Sequence, residues 1–266
     1  MFKTRLLSGI VLVLIALVTI ISGGPILFAT LLIISLIGMS ELYKIFGVNK
    51  SGPGMVGYAF AMMYYAAIYL LKEEALMPMF MAFLIALLMV YVFTYPKYKA
   101  DQIMAAFFGL FYVAVMLSYI FLIRRMPEEG VFLVWLVFLC SWGCDTCAYC
   151  VGVLFGKHKM APVLSPKKSI EGAVGGVVGA ALLGTLYALA VNHWGGEDLS
   201  PMVVAIVCAV GGLISMVGDL AASAIKRNYE IKDYGKLIPG HGGILDRFDS
   251  VIFVAPIIYY LLTWIG

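Results

Sequence analysis

Ser223–Ser250, SAIKRNYEIKDYGKLIPGHGGILDRFDS, is a charged stretch that separates two long apolar segments near the end of the chain. Its 28 residues carry nine of the 33 charged side chains in a protein that is 63% hydrophobic. Because the flanking segments are long enough to cross a bilayer, the stretch is predicted to be a loop between two membrane helices. Since charge, glycine and histidine are concentrated there, we expect this loop to take part in the chemistry of the protein.

The composition of the whole chain differs from that of a soluble globular protein. Its mean hydropathy is +1.02 and 12% of its residues are charged, whereas soluble domains have about 25% charged residues. Apolar runs of roughly 20 residues recur along the sequence, which is the length that spans a bilayer as a helix. The predicted fold class is therefore an all-α, polytopic integral membrane protein.

Nine transmembrane helices are predicted from these runs. Their approximate ranges are 6–22, 26–46, 55–71, 75–95, 104–123, 131–153, 172–191, 202–222 and 251–265. When successive spans alternate across the bilayer, 15 of the 18 Lys and Arg residues lie on the side of the N-terminus. Because basic loops favour the cytoplasmic side, we expect a cytoplasmic N-terminus, an outer C-terminus, and cytoplasmic loops at 154–171 and 223–250. The basic excess reflects this topology and gives no reason to expect nucleic-acid binding.

Two regions of different composition divide the chain. Residues 1–130 hold five spans rich in Leu, Met and aromatic residues, which we interpret as a scaffold with possible homodimer contacts. Residues 131–266 hold four spans with small and polar residues, which we interpret as the catalytic region. The small residues of the seventh span recur every four positions, at Gly172, Gly176, Ala180 and Gly184. This spacing lets helix backbones approach closely, so the later spans are predicted to pack tightly.

Two aspartates lie inside predicted spans, Asp145 in the sixth and Asp219 in the eighth. An ionisable residue at membrane depth is energetically costly, which makes it a candidate for function, although pairing with a basic residue is the structural alternative. If the eighth span continues as a helix, Asp219, Ser223 and Lys226 share one face. A carboxylate, a hydroxyl and a cation on one face suit the binding of a metal-bound phosphate.

On the far side of the loop, Pro239–Gly243 is too rich in glycine to be helical and leads into the last span. Backbone N–H groups of Gly242 and Gly243, next to a helix N-terminus, are predicted to cradle phosphate oxygens. Asp246 and Asp249 lie three residues apart on the first turn of that helix. Their carboxylates could converge on one hard cation such as Mg²⁺.

A second basic loop, Ser165–Gly172, places Lys167 and Lys168 just before the seventh span, where the helix dipole also favours an anion. A solvated basic flank of a membrane helix is the alternative interpretation. Taken together, oxygen ligands and basic groups on one predicted membrane face indicate Mg²⁺-dependent phosphoryl or nucleotidyl transfer on an amphiphilic substrate.

The segments 223–227, 232–233 and 238–249, which read SAIKR, KD and IPGHGGILDRFD, resemble the signature of the phosphatidate cytidylyltransferase family, also called CDP-diacylglycerol synthases. Two upstream segments, 142–157 and 165–172, are also similar to that family. In the second of these, the family usually has Thr where this chain has Ser169, a change that keeps the hydroxyl. The first five spans resemble the family only in hydropathy.

The resemblance implies the reaction CTP + phosphatidic acid → CDP-diacylglycerol + pyrophosphate, a step of phospholipid biosynthesis. In our mechanistic hypothesis the lipid phosphate attacks the α-phosphorus of CTP in line, with Mg²⁺ as the cofactor and a second cation left open. The predicted catalytic residues are Asp219, Lys226, Arg227, His241 and Asp246. The predicted substrate-binding residues are Asp145, Lys167, Lys168, Ser223, Gly242 and Gly243. The predicted metal ligands are Asp219, Asp246 and Asp249.

The expected location is the inner (cytoplasmic) membrane, as a multi-pass protein whose active site faces the cytoplasm. The expected partners are CTP, phosphatidic acid and the lipid bilayer, with a second copy of the chain in a homodimer left open. Two alternatives stay open, a CTP-dependent membrane lipid kinase and a secondary transporter that uses Asp145 and Asp219 as coupling residues. The cytidylyltransferase hypothesis further predicts that the four regions around Asp145, Lys167, Asp219 and Asp246 meet at one cavity.

Overall fold

The computed structural model describes residues 2–127, 129–240 and 242–265. Within these ranges the chain forms nine long helices. They are α1 Phe2–Ser22, α2 Gly24–Ile45, α3 Gly52–Tyr69, α4 Leu76–Phe93, α5 Ala100–Arg124, α6 Gly130–Phe155, α7 Ile170–Gly195, α8 Pro201–Asn228 and α9 Leu245–Ile265. His241, a predicted catalytic residue, lies outside the described residues.

Seven helices in the described part of the chain are long and apolar enough to cross a membrane, namely α2 and α4–α9. The predicted all-α polytopic membrane protein is therefore confirmed, whereas the count of nine spans and the orientation of the termini stay predictions. Helix α1 has the apolar segment Ser8–Ser22 within the residues whose side chains the structure describes. Helix α3 contains four tyrosines, which lower its hydropathy.

A small β-hairpin between α6 and α7 departs from the purely helical prediction. Strand β1, Lys159–Ala161, pairs antiparallel with strand β2, Ser165–Ser169. Lys159 lies opposite Ser169, and Ala161 lies opposite Ser165. The predicted loop 154–171 is thus an ordered element that fixes the direction of the Lys167–Lys168 pair.

The chain divides into two compact units. Unit 1 comprises Met1–Phe121 and Asp233–Arg247, and unit 2 comprises Leu122–Lys232 and Phe248–Gly266. The predicted boundary at residue 130 lies close to the first of these divisions, but the segment Asp233–Arg247 groups with the N-terminal helices. The glycine turn, by which we mean the described residues of Pro239–Gly243, is therefore part of the same unit as α1–α4 and most of α5.

The core of unit 1 is built around buried aromatic side chains. The Tyr43 hydroxyl donates a hydrogen bond of 2.6 Å to the carbonyl oxygen of Ala106, which satisfies its polar end in an apolar environment. A Cβ atom at Gly57 or Gly109 would run into the Tyr43 ring or hydroxyl. These two glycines provide the space in which α2, α3 and α5 pack around one tyrosine.

Unit 2 is held together by the small residues of α7, as the four-residue spacing predicted. A Cβ atom at Gly176 would lie 2.9 Å from the Cβ of Ala148 and 3.0 Å from the Sγ of Cys144, both on α6. A Cβ atom at Gly184 would lie 2.5 Å from the Sγ of Cys208 on α8. The backbone of α7 therefore approaches both neighbouring helices at positions where only glycine leaves room.

We expect the substitution Gly176→Leu to destabilise the protein, because a new side chain would be forced into the contact between α6 and α7. Overpacking of this kind typically costs about 1–3 kcal/mol. The matched control is Val178→Leu on the same helix, where the side chain is 52% exposed. Thermal unfolding in detergent should show a clear loss for the first variant and almost none for the second; equal midpoints would contradict the packing described above.

Candidate active site

A pocket of about 460 Å³ lies in unit 2, between α6, the β-hairpin, α7 and α8. It is lined by Asp145, Ala148, Tyr149, Gly152, Val153, Met160, Ser165, Lys167, Lys168, Ser169, Gly172, Ala173, Met216 and Asp219. Four of the residues that the sequence predicts to act on the substrate, Asp145, Lys167, Lys168 and Asp219, are therefore brought together. Because these four come from three separate segments of the chain, their meeting at one pocket results from the tertiary fold.

The charged wall of the pocket is an ion pair between Lys168 of strand β2 and Asp219 of α8. Both side chains are partly buried, with 24% and 27% of their surface exposed. Pairing of Asp219 with a basic residue is the structural alternative to a functional role, and this pairing exists. Since the pair lines a pocket, its charged groups are also accessible to a ligand.

The hairpin that carries the lysines is fastened at its base by Glu171, in the first turn of α7. Its carboxylate accepts backbone N–H groups of Lys157 (3.1 Å) and His158 (3.2 Å) and contacts the Nδ1 of the His158 ring at 2.5 Å. At the same corner the Ser169 hydroxyl accepts the N–H of Gly172 at 3.1 Å and so caps α7. Glu171 is not among the predicted site residues, although an acid three residues after a basic pair at a helix start is a signal for such a role.

The backbone of α6 next to Asp145 departs from regular α-helical geometry. The five residues Leu139–Gly143 form a π-helical turn, directly before Cys144 and Asp145. Such turns change the direction in which the following side chains project and often occur at functional sites. Gly152, one residue of the pocket lining, lets α6 approach α7, since its Cβ would lie 3.2 Å from the Ser169 hydroxyl oxygen.

Three carboxylates of unit 2 interact electrostatically. Asp249, at the start of α9, is half-buried and within range of the charges of Asp219, Asp145 and Lys226. Gly218 makes this proximity possible, because its Cβ would lie 2.8 Å from the carbonyl oxygen of Asp249. Like charges placed this close favour a cation between them, and carboxylate oxygens are the ligands that Mg²⁺ prefers.

The donor chemistry of these carboxylates therefore fits a divalent cation. However, no group of three or more His, Cys, Asp and Glu side chains within the described ranges is already arranged as a metal site. At Asp219 the Oδ2 oxygen of the carboxylate is paired with the ammonium group of Lys168. A cation bound there would have to share Asp219 with Lys168 or displace the ammonium group.

Helix α8 continues without interruption to Asn228, as the predicted common face requires. Asp219, Ser223 and Lys226 consequently lie on one side of this helix, at intervals of four and three residues, and all three are half-buried. Arg227 is exposed. The helix thus extends its polar side beyond Asp219, the residue that lines the pocket, by about two turns.

The glycine turn of unit 1 is closed by its own hydrogen bonds. Gly240 and Gly242 have positive φ angles of 78° and 86°, which glycine adopts without strain. The N–H of Ile238 donates to the carbonyl oxygen of Gly242 at 2.8 Å. The buried Asp246 accepts, through its Oδ2, the N–H groups of Tyr234 at 2.8 Å and Gly243 at 2.9 Å.

This arrangement differs from the predicted phosphate cradle. The N–H of Gly243 is directed to Asp246, and the N–H groups of Ile244 and Leu245 are directed to the carboxylate of Glu41 on α2. Protein carboxylates, rather than a phosphate, accept hydrogen bonds from the backbone N–H groups of these three residues. The metal-binding role of Asp246 and the substrate-binding role of Gly242 stay predictions, as does the meeting of this turn with the pocket of unit 2.

Comparison with known proteins gives a family for nearly the whole chain. The model of the cytidylyltransferase family matches residues 3–265. The phosphatidate cytidylyltransferase of Bacillus subtilis is 31% identical over 98% of this chain and 97% of its own length. Phosphatidate cytidylyltransferases of Staphylococcus epidermidis and Staphylococcus aureus are 34% and 33% identical, each over 98% of both chains. The chain therefore belongs to the cytidylyltransferase family.

Proposed function

We infer that the protein is a membrane-bound phosphatidate cytidylyltransferase, which converts CTP and phosphatidic acid into CDP-diacylglycerol and pyrophosphate. Membership of the cytidylyltransferase family and relatives of that name along almost the whole chain support this function. The structural observation that carries it is the pocket of unit 2, in which two lysines and two aspartates meet beside apolar side chains.

The lining of the pocket suits an amphiphilic substrate. Lys167 and Lys168 supply positive charge for phosphate groups. Tyr149 and Val153 line the same pocket and are 72% and 66% exposed, on a helix long and apolar enough to cross a membrane. A lipid that keeps its acyl chains against this apolar side could place its phosphate near the charged wall, which a water-soluble phosphate acceptor would not require.

The proposed reaction is an in-line displacement at the α-phosphorus of CTP. An oxygen of the lipid phosphate forms the new P–O bond, the bond to the oxygen that bridges the α- and β-phosphates breaks, and pyrophosphate leaves with that oxygen. A phosphomonoester is largely doubly ionised at neutral pH, so the attack needs no strong general base. Lys167, Lys168, Lys226 and Arg227 are proposed to bind the phosphates and offset the negative charge that gathers in the transition state.

Mg²⁺ is the proposed cofactor, with a second cation as a further possibility. When bound, the ion would supply charge neutralisation for the triphosphate and the departing pyrophosphate. Asp219 and Asp249, which interact electrostatically in unit 2, are the residues that we propose hold it. The charge of Asp145 also acts on Asp249. Asp246 was predicted as a further ligand, and Ser223 as a hydroxyl that contacts the metal-bound phosphate.

The orientation in the membrane is also a proposal. The distribution of Lys and Arg supports a cytoplasmic N-terminus, so that the pocket would face the cytoplasm of the inner membrane, where CTP is available. The apolar helix α4, whose Met77, Met81 and Ile85 are exposed, is one surface that could contact lipid or a second copy of the chain.

The decisive experiment incubates the purified protein with Mg²⁺, phosphatidic acid vesicles and CTP labelled in separate parallel samples at the α- and γ-phosphates. A cytidylyltransferase transfers the α-label to the lipid and releases the γ-label as pyrophosphate. A lipid kinase would instead transfer the γ-label to the lipid and release CDP, and that result would refute the proposed function. A protein without CTP turnover that moves phosphatidic acid or a coupling ion in liposomes would favour the transporter alternative.

A further inference from the structure

Glu41 is a buried carboxylate in unit 1 for which the proposed reaction has no direct use. It lies near the end of α2, and only 4% of its surface is exposed. Its Oε1 accepts the N–H of Ile244 at 3.0 Å, and its Oε2 accepts the N–H of Leu245 at 2.9 Å. A carboxylate is retained in such a place only if hydrogen bonds replace the lost hydration, and both oxygens here have backbone donors.

The two donors are the N–H of Ile244, the residue directly before α9, and the N–H of Leu245, the first residue of α9. N–H groups in the first turn of a helix have no acceptor within the helix, and the dipole makes that end partially positive. Glu41 thus caps α9 from another helix, 204 residues away from Leu245 in the sequence. A local capping residue could satisfy these donors without linking Ile244 and Leu245 to α2, whereas Glu41 does both within unit 1.

Three glycines are placed so that the cap can form. A Cβ atom at Gly235 or at Gly243 would run into the Glu41 carboxylate. A Cβ atom at Gly38, one turn before Glu41 on α2, would lie 3.3 Å from the Cδ2 of Leu245. The glycine turn, whose Gly243 also donates to Asp246, is therefore shaped around the Glu41 carboxylate.

We propose that Glu41 is a positioning residue, which sets the conformation of the segment Asp233–Arg247 and thereby the placement of Asp246. A second contact supports this role, since the Ser8 hydroxyl on α1 donates to the carbonyl oxygen of Pro239 at 3.1 Å. The N-terminal helices thus hold the polar turn directly through a carboxylate and a hydroxyl. The catalytic part of the proposal rests on the proposed function, whereas its structural part does not.

The test is Glu41→Gln in the full-length protein in lipid nanodiscs. Glutamine keeps the size of the side chain but has one acceptor oxygen and an NH₂ group that would face a backbone N–H. We expect amide exchange with deuterium at Ile244 and Leu245 to accelerate at least about tenfold, because a hydrogen bond to a charged group is lost. We also expect kcat for CTP turnover to fall at least about tenfold, with the KM for CTP changed less than threefold.

The matched control is Ser35→Ala on the same helix. The Ser35 hydroxyl is fully buried and bonds the Tyr65 hydroxyl at 2.8 Å, so its loss weakens unit 1 without touching the turn. We expect this variant to leave kcat and the exchange of Ile244 and Leu245 within twofold of the wild-type values. An equal loss of kcat in both variants would show that Glu41 matters only for stability, and the proposal would fail.

Two further results would overturn the proposal. Unchanged exchange at Ile244 and Leu245 in the glutamine variant would mean that Glu41 does not hold the start of α9, and faster exchange with normal kcat would mean that this hold is unimportant for turnover. If the glutamine variant does not fold, amide exchange in the wild type remains a test. Ile244 and Leu245 have no acceptor within the helix, so fast exchange of these two amides in the wild type would show that Glu41 does not protect them. Absence of CTP turnover in the wild type would refute the proposed function, while exchange would still test the cap.

Discussion

The substitution Asp219→Ala should reduce kcat for CDP-diacylglycerol formation by about 10²–10³-fold, the range seen when one preorganised charge-stabilising group is removed from an active site. Asp219 lines the pocket, pairs with Lys168 and interacts with the charge of Asp249. Its loss would remove a proposed ligand of Mg²⁺ and leave the partly buried ammonium of Lys168 without its counter-ion.

The measurement is steady-state turnover of CTP at several Mg²⁺ concentrations, with protein whose folding has been checked by thermal unfolding. The control is Asp198→Ala, which removes an exposed aspartate from the same unit and should keep turnover within twofold. Asp219→Asn retains the shape of the side chain and tests the charge alone; we expect it to resemble the alanine variant. Near-normal turnover in both Asp219 variants would contradict the proposed metal assignment.

The substitution Lys168→Gln should lower kcat/KM for CTP by about 10²-fold. A charge-assisted hydrogen bond to a phosphate in a partly buried site contributes about 1.5–3 kcal/mol, and each 1.36 kcal/mol corresponds to a factor of ten. The same side chain is also the present partner of Asp219. Removing it would free the Asp219 carboxylate, so the Mg²⁺ concentration for half-maximal activity should stay the same or decrease.

A lower kcat/KM together with an unchanged or lower Mg²⁺ requirement would distinguish Lys168 from a metal ligand. Loss of a metal ligand would instead increase the Mg²⁺ requirement. Lys167→Gln should show a smaller loss, because Lys167 lines the pocket but is exposed to solvent. Lys159→Gln, on the same hairpin and outside the pocket lining, serves as the control for general changes of surface charge. If Lys168→Gln behaved like Lys159→Gln, Lys168 would have only a structural role in the ion pair.

Local sequence patterns explain how much of this structure was predictable. Runs of about 20 apolar residues depend only on their own composition, so the long membrane helices could be located without knowledge of their neighbours. The packing role of Gly176 and Gly184 was predictable for the same reason, because it follows from their spacing in the sequence. Asp145 and Asp219 were recognisable because charge inside an apolar span is rare, and both line the pocket.

The parts that were missed depend on partners distant in the sequence. The strand Ser165–Ser169 contains a proline and two lysines, which give no strand signal, and it is held in place by its pairing partner and by Glu171. Gly243 was expected to bind phosphate because an N–H at a helix start is normally unsatisfied. The sequence did not show that Asp246 would accept this N–H, or that Glu41 would accept the next two.

The long separation between Glu41 and its two donors has a consequence for biosynthesis. A ribosome that adds about 5–20 residues per second needs roughly 10–40 s to proceed from Glu41 to Leu245. During that interval α2 carries a carboxylate whose final partners have not yet been made. A nascent chain that stops before Leu245 would therefore keep the Glu41 carboxylate without its two backbone donors, so this part of unit 1 can be completed only when the last helix begins to be made.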